Sequence, residues 1–336
     1  VDDVIASISG AENERIARNM KVRVQDLRLL KKVKNSVLLQ FECSIRRMSM
    51  LSHDANMDDP LERASIAMRK FDRLGPAEIK TPENIANEMV ALLPAEELKR
   101  IAADGERILD ISGKVGEFAI ALYKRYRQID PKIDVSNLIL TIPTSSHAYE
   151  FTRKVYEALG LNLNNIAEQF TALDLIEEKN GKIDYEHIKN LLTQTKHFNK
   201  ITMSDKVTSK GKHKTIAAVI GNPPYQEGDG GNKASAVPLY QKLYFSGMAL
   251  KPSVMSLIIP AKWYTGGRKV LDDFRASMLN NRQLAKLIDF PNSEEGFPGV
   301  DVAGGVCYFL CDSKHNGLCD VGVSISGKTT YKTRML

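Results

Sequence analysis

The sequence of 336 residues predicts an α/β protein built on a doubly wound, mostly parallel sheet of seven strands with helices on both faces, preceded by a helical segment. Three observations lead there. From about residue 71, short β-rich runs alternate with helix-length stretches, the pattern of parallel strands joined by crossover helices. One run, Thr215–Ile220, is apolar without interruption, as a strand buried on both faces must be. Residues 1–70 differ: Val22, Leu27, Leu29, Leu30, Val33, Val37, Leu38 and Leu39 recur at helical spacing, with almost no glycine after Gly10.

The elements follow in order. Glu106–Asp110 reads as a short strand ending in an acid, with a helix over Phe118–Tyr126 behind it. Asn137–Ile142 is the second strand, followed by a helix over Tyr149–Leu159, and Phe170–Leu175 is the third. Residues 176–214 interrupt the rhythm with a helix-like stretch and a polar loop. Thr215–Ile220, Ser253–Ile259, Leu284–Phe290 and Gly305–Leu310 complete the seven. Ligands of such sheets sit at the carboxyl ends of the strands, so chemistry is expected just after Asp110, Ile142, Leu173 and Ile220.

Charge and cysteine content narrow the classes. Lys and Arg number 47 against 41 Asp and Glu, a net charge of +6. The excess is concentrated: Arg15–Lys34 holds eight bases and one acid, and Lys196–Lys214 holds six lysines and one acid. Each segment fits either a solvated surface or a phosphate-contacting one. No apolar run approaches the roughly 18–20 residues of a membrane span, and no signal segment opens the chain, so a cytoplasmic protein without a membrane partner is expected. Four cysteines without a secretory signal argue against a disulfide framework. Cys307, Cys311, His315 and Cys319 imitate zinc-ligand spacing, but residues four apart on a strand stand about 13 Å apart and cannot converge on one ion. No metal is therefore expected.

The most informative segment is Gly221-Asn222-Pro223-Pro224-Tyr225, directly after the central strand. Neither proline can donate to a ladder and each fixes φ, so the strand must end in a stiff extended turn. The turn offers an amide (Asn222), a carbonyl (Pro223) and an aromatic plate (Tyr225). This set suits a planar molecule with an exocyclic amine, whose two N–H groups the amide oxygen and the carbonyl accept while the ring stacks.

The turn resembles the catalytic motif of amino-methyltransferases that use S-adenosylmethionine, above all the gamma group of N6-adenine DNA methyltransferases. The similarity covers most of residues 75–310. Gly75–Pro82 resembles the Thr-Pro segment of that group, and Asp110-Ile111-Ser112-Gly113-Lys114-Val115-Gly116-Glu117-Phe118 stands in place of its cofactor loop, with Ile111 and Lys114 where Pro and Gly are usual. Leu173-Asp174-Leu175 resembles the third-strand motif, and Leu257–Trp263 and Phe297–Val300 resemble later segments. The resemblance implies a Rossmann-like methyltransferase fold. It implies S-adenosylmethionine held by Thr81, Pro82, Asp110, Ser112, Gly113, Gly116, Phe118 and Asp174, catalysis by Asn222, Pro223, Pro224 and Tyr225, and a flipped adenine of duplex DNA packed by Tyr225 and Phe297. The acid that usually ends the second strand is missing from Ile142-Pro143-Thr144-Ser145-Ser146, where Thr144 or Ser145 would have to substitute.

Two other functions remain open: methylation of protein glutamine or ribosomal-RNA guanine, which shares the turn, and a non-catalytic DNA- or partner-binding module with a decayed cofactor site. A nuclease pattern, Asp59 with Glu78-Ile79-Lys80, is set aside because it runs into the Thr-Pro segment. The expected organisation is a helical connector over 1–70, a catalytic domain over 71–312, and over 313–336 the start of a truncated C-terminal region. On the resemblance, the chain is the methylase portion of a larger restriction-modification protein, with a nuclease and a target-recognition domain fused or associated.

Overall fold

The computed structural model describes residues 11–19, 21–29, 32, 59–69, 73–75, 78–178, 181–193, 197–205, 215–226, 237–265 and 269–336. The chain runs α1 (Ala11–Asn19), α2 (Val24–Leu29), α3 (Pro60–Arg69), a small ribbon of β1 (Arg73–Gly75) and β2 (Glu78–Ile79), then α4 (Glu83–Ala91) and α5 (Ala95–Ala103). The alternating part follows: β3 (Arg107–Gly113), α6 (Glu117–Ile129), β4 (Ile139–Pro143), α7 (Ser146–Leu159), α8 (Tyr185–Leu192), β5 (Ile216–Gly221), α9 (Tyr240–Ala249) and β6 (Val254–Pro260). It closes with α10 (Lys269–Leu279), β7 (Leu284–Phe290), α11 (Ser293–Gly296), β8 (Val306–Asp312), β9 (Cys319–Ile325) and β10 (Lys328–Arg334).

The main sheet has eight strands in the order β10-β9-β7-β8-β6-β5-β3-β4. β3 pairs in parallel with β4 and β5, and β5 with β6; β8 runs antiparallel between β6 and β7, and the hairpin β9–β10 extends the sheet beyond β7. The seven strands expected thus become eight by one loss and two gains. The strand expected over Phe170–Leu175 is not formed. Residues 166–172 instead follow the outer edge of β4, with Ala167 N–H donating to Thr141 O and Ala172 N–H to Pro143 O, both at 2.9 Å. The Asp174 carboxylate then accepts from Thr171 N–H at 2.6 Å and Thr171 Oγ1 at 2.8 Å, curling the chain into a 3-10 turn over Asp174–Ile176. Such local side-chain bonds compete with a ladder.

Alternate residues of the central strands enter opposite cores. Ile108, Ala218, Ile258 and Tyr308 pack with α4, α6 and α7 on one face, while Leu109, Val219, Leu257 and Phe309 pack with α8, α9 and α10 on the other. The helical leader is partly described, and its helices α1 and α3 dock onto α7. Arg15 donates to Glu150 at 2.5 and 3.2 Å, Asn19 Nδ2 to the same carboxylate at 2.6 Å, and Ser146 Oγ to Asn19 O at 2.9 Å. Arg23 is occupied by Asp26. At least these two bases of the Arg15–Lys34 segment serve the protein's own acids. Most of Lys196–Lys214, and Cys43, lie outside the described residues. Cys307, Cys311 and Cys319 are buried free thiols, and burial pushes all three up to about 12. Among the described residues no group of three His, Cys, Asp or Glu side chains could hold a metal ion, and no helix is long and apolar enough to cross a membrane.

Candidate active site

The parallel pairing of β3 with β5 sets Asp110 beside Ile220, so that both strands end at one place. Neighbouring side chains crowd the glycines there and leave no room for a Cβ. A Cβ at Gly221 would stand 2.8 Å from Ser112 Oγ, and one at Gly113 would stand 2.2 Å from Thr141 Cγ2. Gly116 adopts φ +83° as the residue before α6, with Val155 2.9 Å from where its Cβ would lie, so the chain can turn into the helix only without a side chain. The loop from β3 to α6 is thereby drawn tightly against the turn after β5.

Three buried oxygens gather at this junction with no hydrogen-bond partner among the described residues: Asp110 Oδ2, Ser112 Oγ and Asn222 Oδ1. Asp110 is fully buried, and its Oδ1 accepts from Ser112 N–H at 3.2 Å. Burial first, and the Glu117 charge second, hold its carboxyl well above the usual carboxylate range. An unpaired buried acceptor costs about 1–3 kcal/mol, so acceptors clustered this way are shaped for donors that a ligand brings. Asp110 and Ser112, two of the residues expected to hold S-adenosylmethionine, therefore fit a polar ligand at this point.

Asn222 is 1% exposed, and its Nδ2 donates to Thr81 Oγ1 at 3.1 Å and to Ile79 O at 3.3 Å. Its backbone oxygen accepts from Lys114 Nζ at 2.9 Å. Tyr225 packs against the core cluster that contains Phe297, Phe290 and Tyr308, and its hydroxyl is buried with no partner among the described residues. Burial raises that phenol far above its ordinary value. Leu239 N–H donates to Tyr225 O at 3.2 Å, and Gln226 bridges Pro238, which anchors the far side of the turn.

The structure brings Thr81, Pro82, Asp110, Ser112, Gly113, Gly116, Phe118 and Asn222-Pro223-Pro224-Tyr225 to one end of the sheet. Phe118 is 1% exposed and belongs to the core. Phe297 is 2% exposed within the cluster that supports Tyr225, so its ring offers no open face. Asp174 is exposed, with its carboxylate turned back onto Thr171. After β4, Ser145 Oγ caps α7 by accepting from Ala148 N–H at 3.2 Å, while Thr144 is buried and its N–H donates to Gly113 O at 2.9 Å.

Two residues at the site escaped the sequence reading. Glu117, the first residue of α6, accepts from Thr81 N–H at 3.2 Å with Oε1 and from Val115 N–H at 2.9 Å with Oε2. It ties the Thr-Pro segment to the glycine loop, and an acid suits a helix N-terminus. Lys114 is 2% exposed and reaches from the loop to the turn. The signal available for both was their place, inside a glycine-flanked loop that must be tight.

The geometry defines a class: a Rossmann-like α/β methyltransferase fold whose ligand end carries an Asn-Pro-Pro-Tyr turn. Its family follows from sequence. The profile of the Eco57I restriction-modification methylases matches residues 29–297, and the chain belongs to that family. It is 31% identical over 116 residues to a protein of Mycoplasma pneumoniae (strain ATCC 29342 / M129 / Subtype 1) described as an uncharacterized adenine-specific methylase; the match covers 33% of this chain and 28% of the relative. Among solved structures, the DrdV–DNA complex aligns with a TM-score of 0.51 at 14% identity, over 80% of this chain and 30% of that one. A nuclease-deletion mutant of the Type ISP restriction-modification enzyme LlaGI, in complex with a DNA substrate mimic, aligns with a TM-score of 0.50 at 13% identity, over 99% of this chain and 31% of that one. The chain thus spans under a third of the length of each of these three proteins.

Proposed function

We propose that the chain transfers a methyl group from S-adenosylmethionine to the N6 amine of an adenine in duplex DNA, within a restriction-modification system. The observation that carries this reading is Asn222: a buried amide at the end of the central strand, its donor end occupied and its oxygen with no partner among the described residues. When bound, S-adenosylmethionine supplies a methyl group on a positively charged sulfur. Asp110 and Ser112 would accept hydrogen bonds from that cofactor, and Thr81-Pro82, Gly113 and Gly116 would shape its cleft. Asp174 would join them once its carboxylate left Thr171.

The amine would donate to Asn222 Oδ1 and to the Pro223 carbonyl, which orients the nitrogen lone pair toward the methyl group. Tyr225 would stack on the adenine, backed by Phe297, and so offset part of the few kcal/mol that extruding a base costs. Catalysis of this kind rests on positioning and electrostatics. Family membership and the adenine-specific relative support adenine over protein glutamine or ribosomal-RNA guanine. The DrdV and LlaGI structures are DNA complexes, and LlaGI was solved as a nuclease-deletion mutant, which supports DNA as the partner and a nuclease associated with the methylase; a target-recognition domain is proposed on the family resemblance alone.

The test is transfer of labelled methyl from S-adenosylmethionine to adenine-containing duplexes by the full-length parent protein, with ribosomal RNA and release-factor substrates alongside. Label is expected in N6-methyladenine alone, and Asn222→Ala is expected to lower the rate at least 100-fold with cofactor affinity kept. Label in RNA or protein, or cofactor binding without any transfer, would overturn the proposal.

A further inference from the structure

An amide side chain at a reaction centre is ambiguous until something decides which end faces the ligand. For Asn222 the neighbours decide it. The Ile79 carbonyl has lone pairs and no hydrogen, so the amide end 3.3 Å from it must be the NH2 group. The second N–H is 3.1 Å from Thr81 Oγ1, which accepts it. The oxygen is left as the end with no partner among the described residues. On the other side of the residue, Lys114 Nζ holds the Asn222 carbonyl at 2.9 Å, which fixes the backbone from which the amide projects and the peptide that leads into Pro223.

We propose that Thr81 is a positioning residue: its hydroxyl, with the Ile79 carbonyl, locks the Asn222 amide so that Oδ1 is presented to the amine that is methylated. The inference rests on the methyl-transfer reading above. It gives the Thr-Pro segment a role distinct from contacting the cofactor. The backbone N–H of Thr81 donates to Glu117 and its hydroxyl accepts from Asn222. Without that hydroxyl, one N–H of a buried amide loses its partner and only the longer 3.3 Å bond to the Ile79 carbonyl opposes its turning over, which would point a donor where an acceptor is needed. The proton of the amine would then meet another N–H.

Thr81→Val removes the acceptor at nearly constant volume, and Thr81→Ser restores it. Turnover at saturating cofactor and DNA is expected to fall about 10- to 100-fold in Thr81→Val, with the Kd for S-adenosylhomocysteine within twofold of wild type and most of the rate recovered in Thr81→Ser. A second measurement reads the amide itself. The Asn222 side-chain NH2 resonance, assigned by its loss in Asn222→Ala, is expected to show slow hydrogen exchange in wild type and faster exchange in Thr81→Val. Unchanged exchange in Thr81→Val overturns the proposal, and so does a loss of S-adenosylhomocysteine affinity as large as the loss of rate, which would make Thr81 a cofactor contact. A wild-type protein that transfers no methyl to DNA adenine would defeat the proposed function instead, and the exchange measurement would still decide the orientation of the amide.

Discussion

Replacing Glu117 with Gln tests whether the loop and the Thr-Pro segment are held as one unit. The carboxylate of Glu117 accepts two backbone N–H bonds, from Thr81 at 3.2 Å and from Val115 at 2.9 Å. Gln has one acceptor oxygen. If it keeps Val115, its NH2 faces the Thr81 N–H, and a buried donor is left unpaired. Such a group costs about 1–3 kcal/mol, and the surviving bond loses its charge assistance. Part of this is returned, because Glu117 raises the carboxyl of Asp110, its neighbour in the same pocket. A net destabilisation of about 2 kcal/mol follows, and in a domain of this size that lowers Tm by about 4–8 °C. If half of it is expressed as disorder between the loop and residues 81–82, cofactor affinity falls about fivefold. Differential scanning calorimetry and titration with S-adenosylhomocysteine measure the two effects, with the exposed Glu96→Gln as control, expected within about 0.5 kcal/mol of wild type. A Tm within 1 °C of wild type (about one quarter of the smallest expected shift) together with unchanged affinity would refute the coupling.

Two further expectations concern the frame around the site. Glu97 accepts from Arg100 at 2.6 and 2.9 Å, Ser253 Oγ at 2.6 Å and Lys314 Nζ at 2.7 Å, and these donors, Arg100 foremost, hold its carboxyl at about 2. Because the folded value lies below the unfolded one, this stabilisation is full above about pH 5 and lost as pH falls toward 2; Glu97→Gln is expected to cost about 1–2 kcal/mol in urea titrations at pH 7, with Lys314 screened by solvent, and progressively less on acidification. Gly116→Ala forces a left-handed residue against Val155 at 2.9 Å, and should weaken S-adenosylhomocysteine binding about tenfold or more while Gly105→Ala, at φ +64° but in open space, leaves binding unchanged.

What could be read from the sequence was what a short stretch enforces by itself. Two prolines after an apolar run must end a strand, and glycines before a helix must make a tight turn, so the loop and the Asn-Pro-Pro-Tyr turn were legible. The third strand misled because Leu173 and Leu175 alternate like a strand while Asp174 and Thr171 bond to each other locally. β10 was invisible for the opposite reason: all seven residues, Lys328–Arg334, are exposed, so no buried face marks the strand, and it exists through its ladder with β9. The basic leader read as a surface because the partner of Arg15, Glu150, lies far along the chain. Glu117 and Lys114 were missed because charged side chains read as solvated, whereas the close approach of β3 and β5 buries both.

Lys114 is where that last point bears on function, since it stands where similar loops have glycine and carries a positive charge toward a cleft proposed to hold a positively charged sulfur. A bare ammonium there would oppose cofactor binding. Two contacts answer it: Lys114 is near enough to Asp110 to pull that carboxyl downward, against the larger effect of burial, and its Nζ is drawn onto the Asn222 carbonyl. A lysine seated this way works on the turn. It replaces with a long side chain the contact that a tighter glycine loop would leave to backbone packing. A lysine in place of a glycine is therefore compatible with the chemistry proposed for the loop, because its ammonium is held on the Asn222 carbonyl.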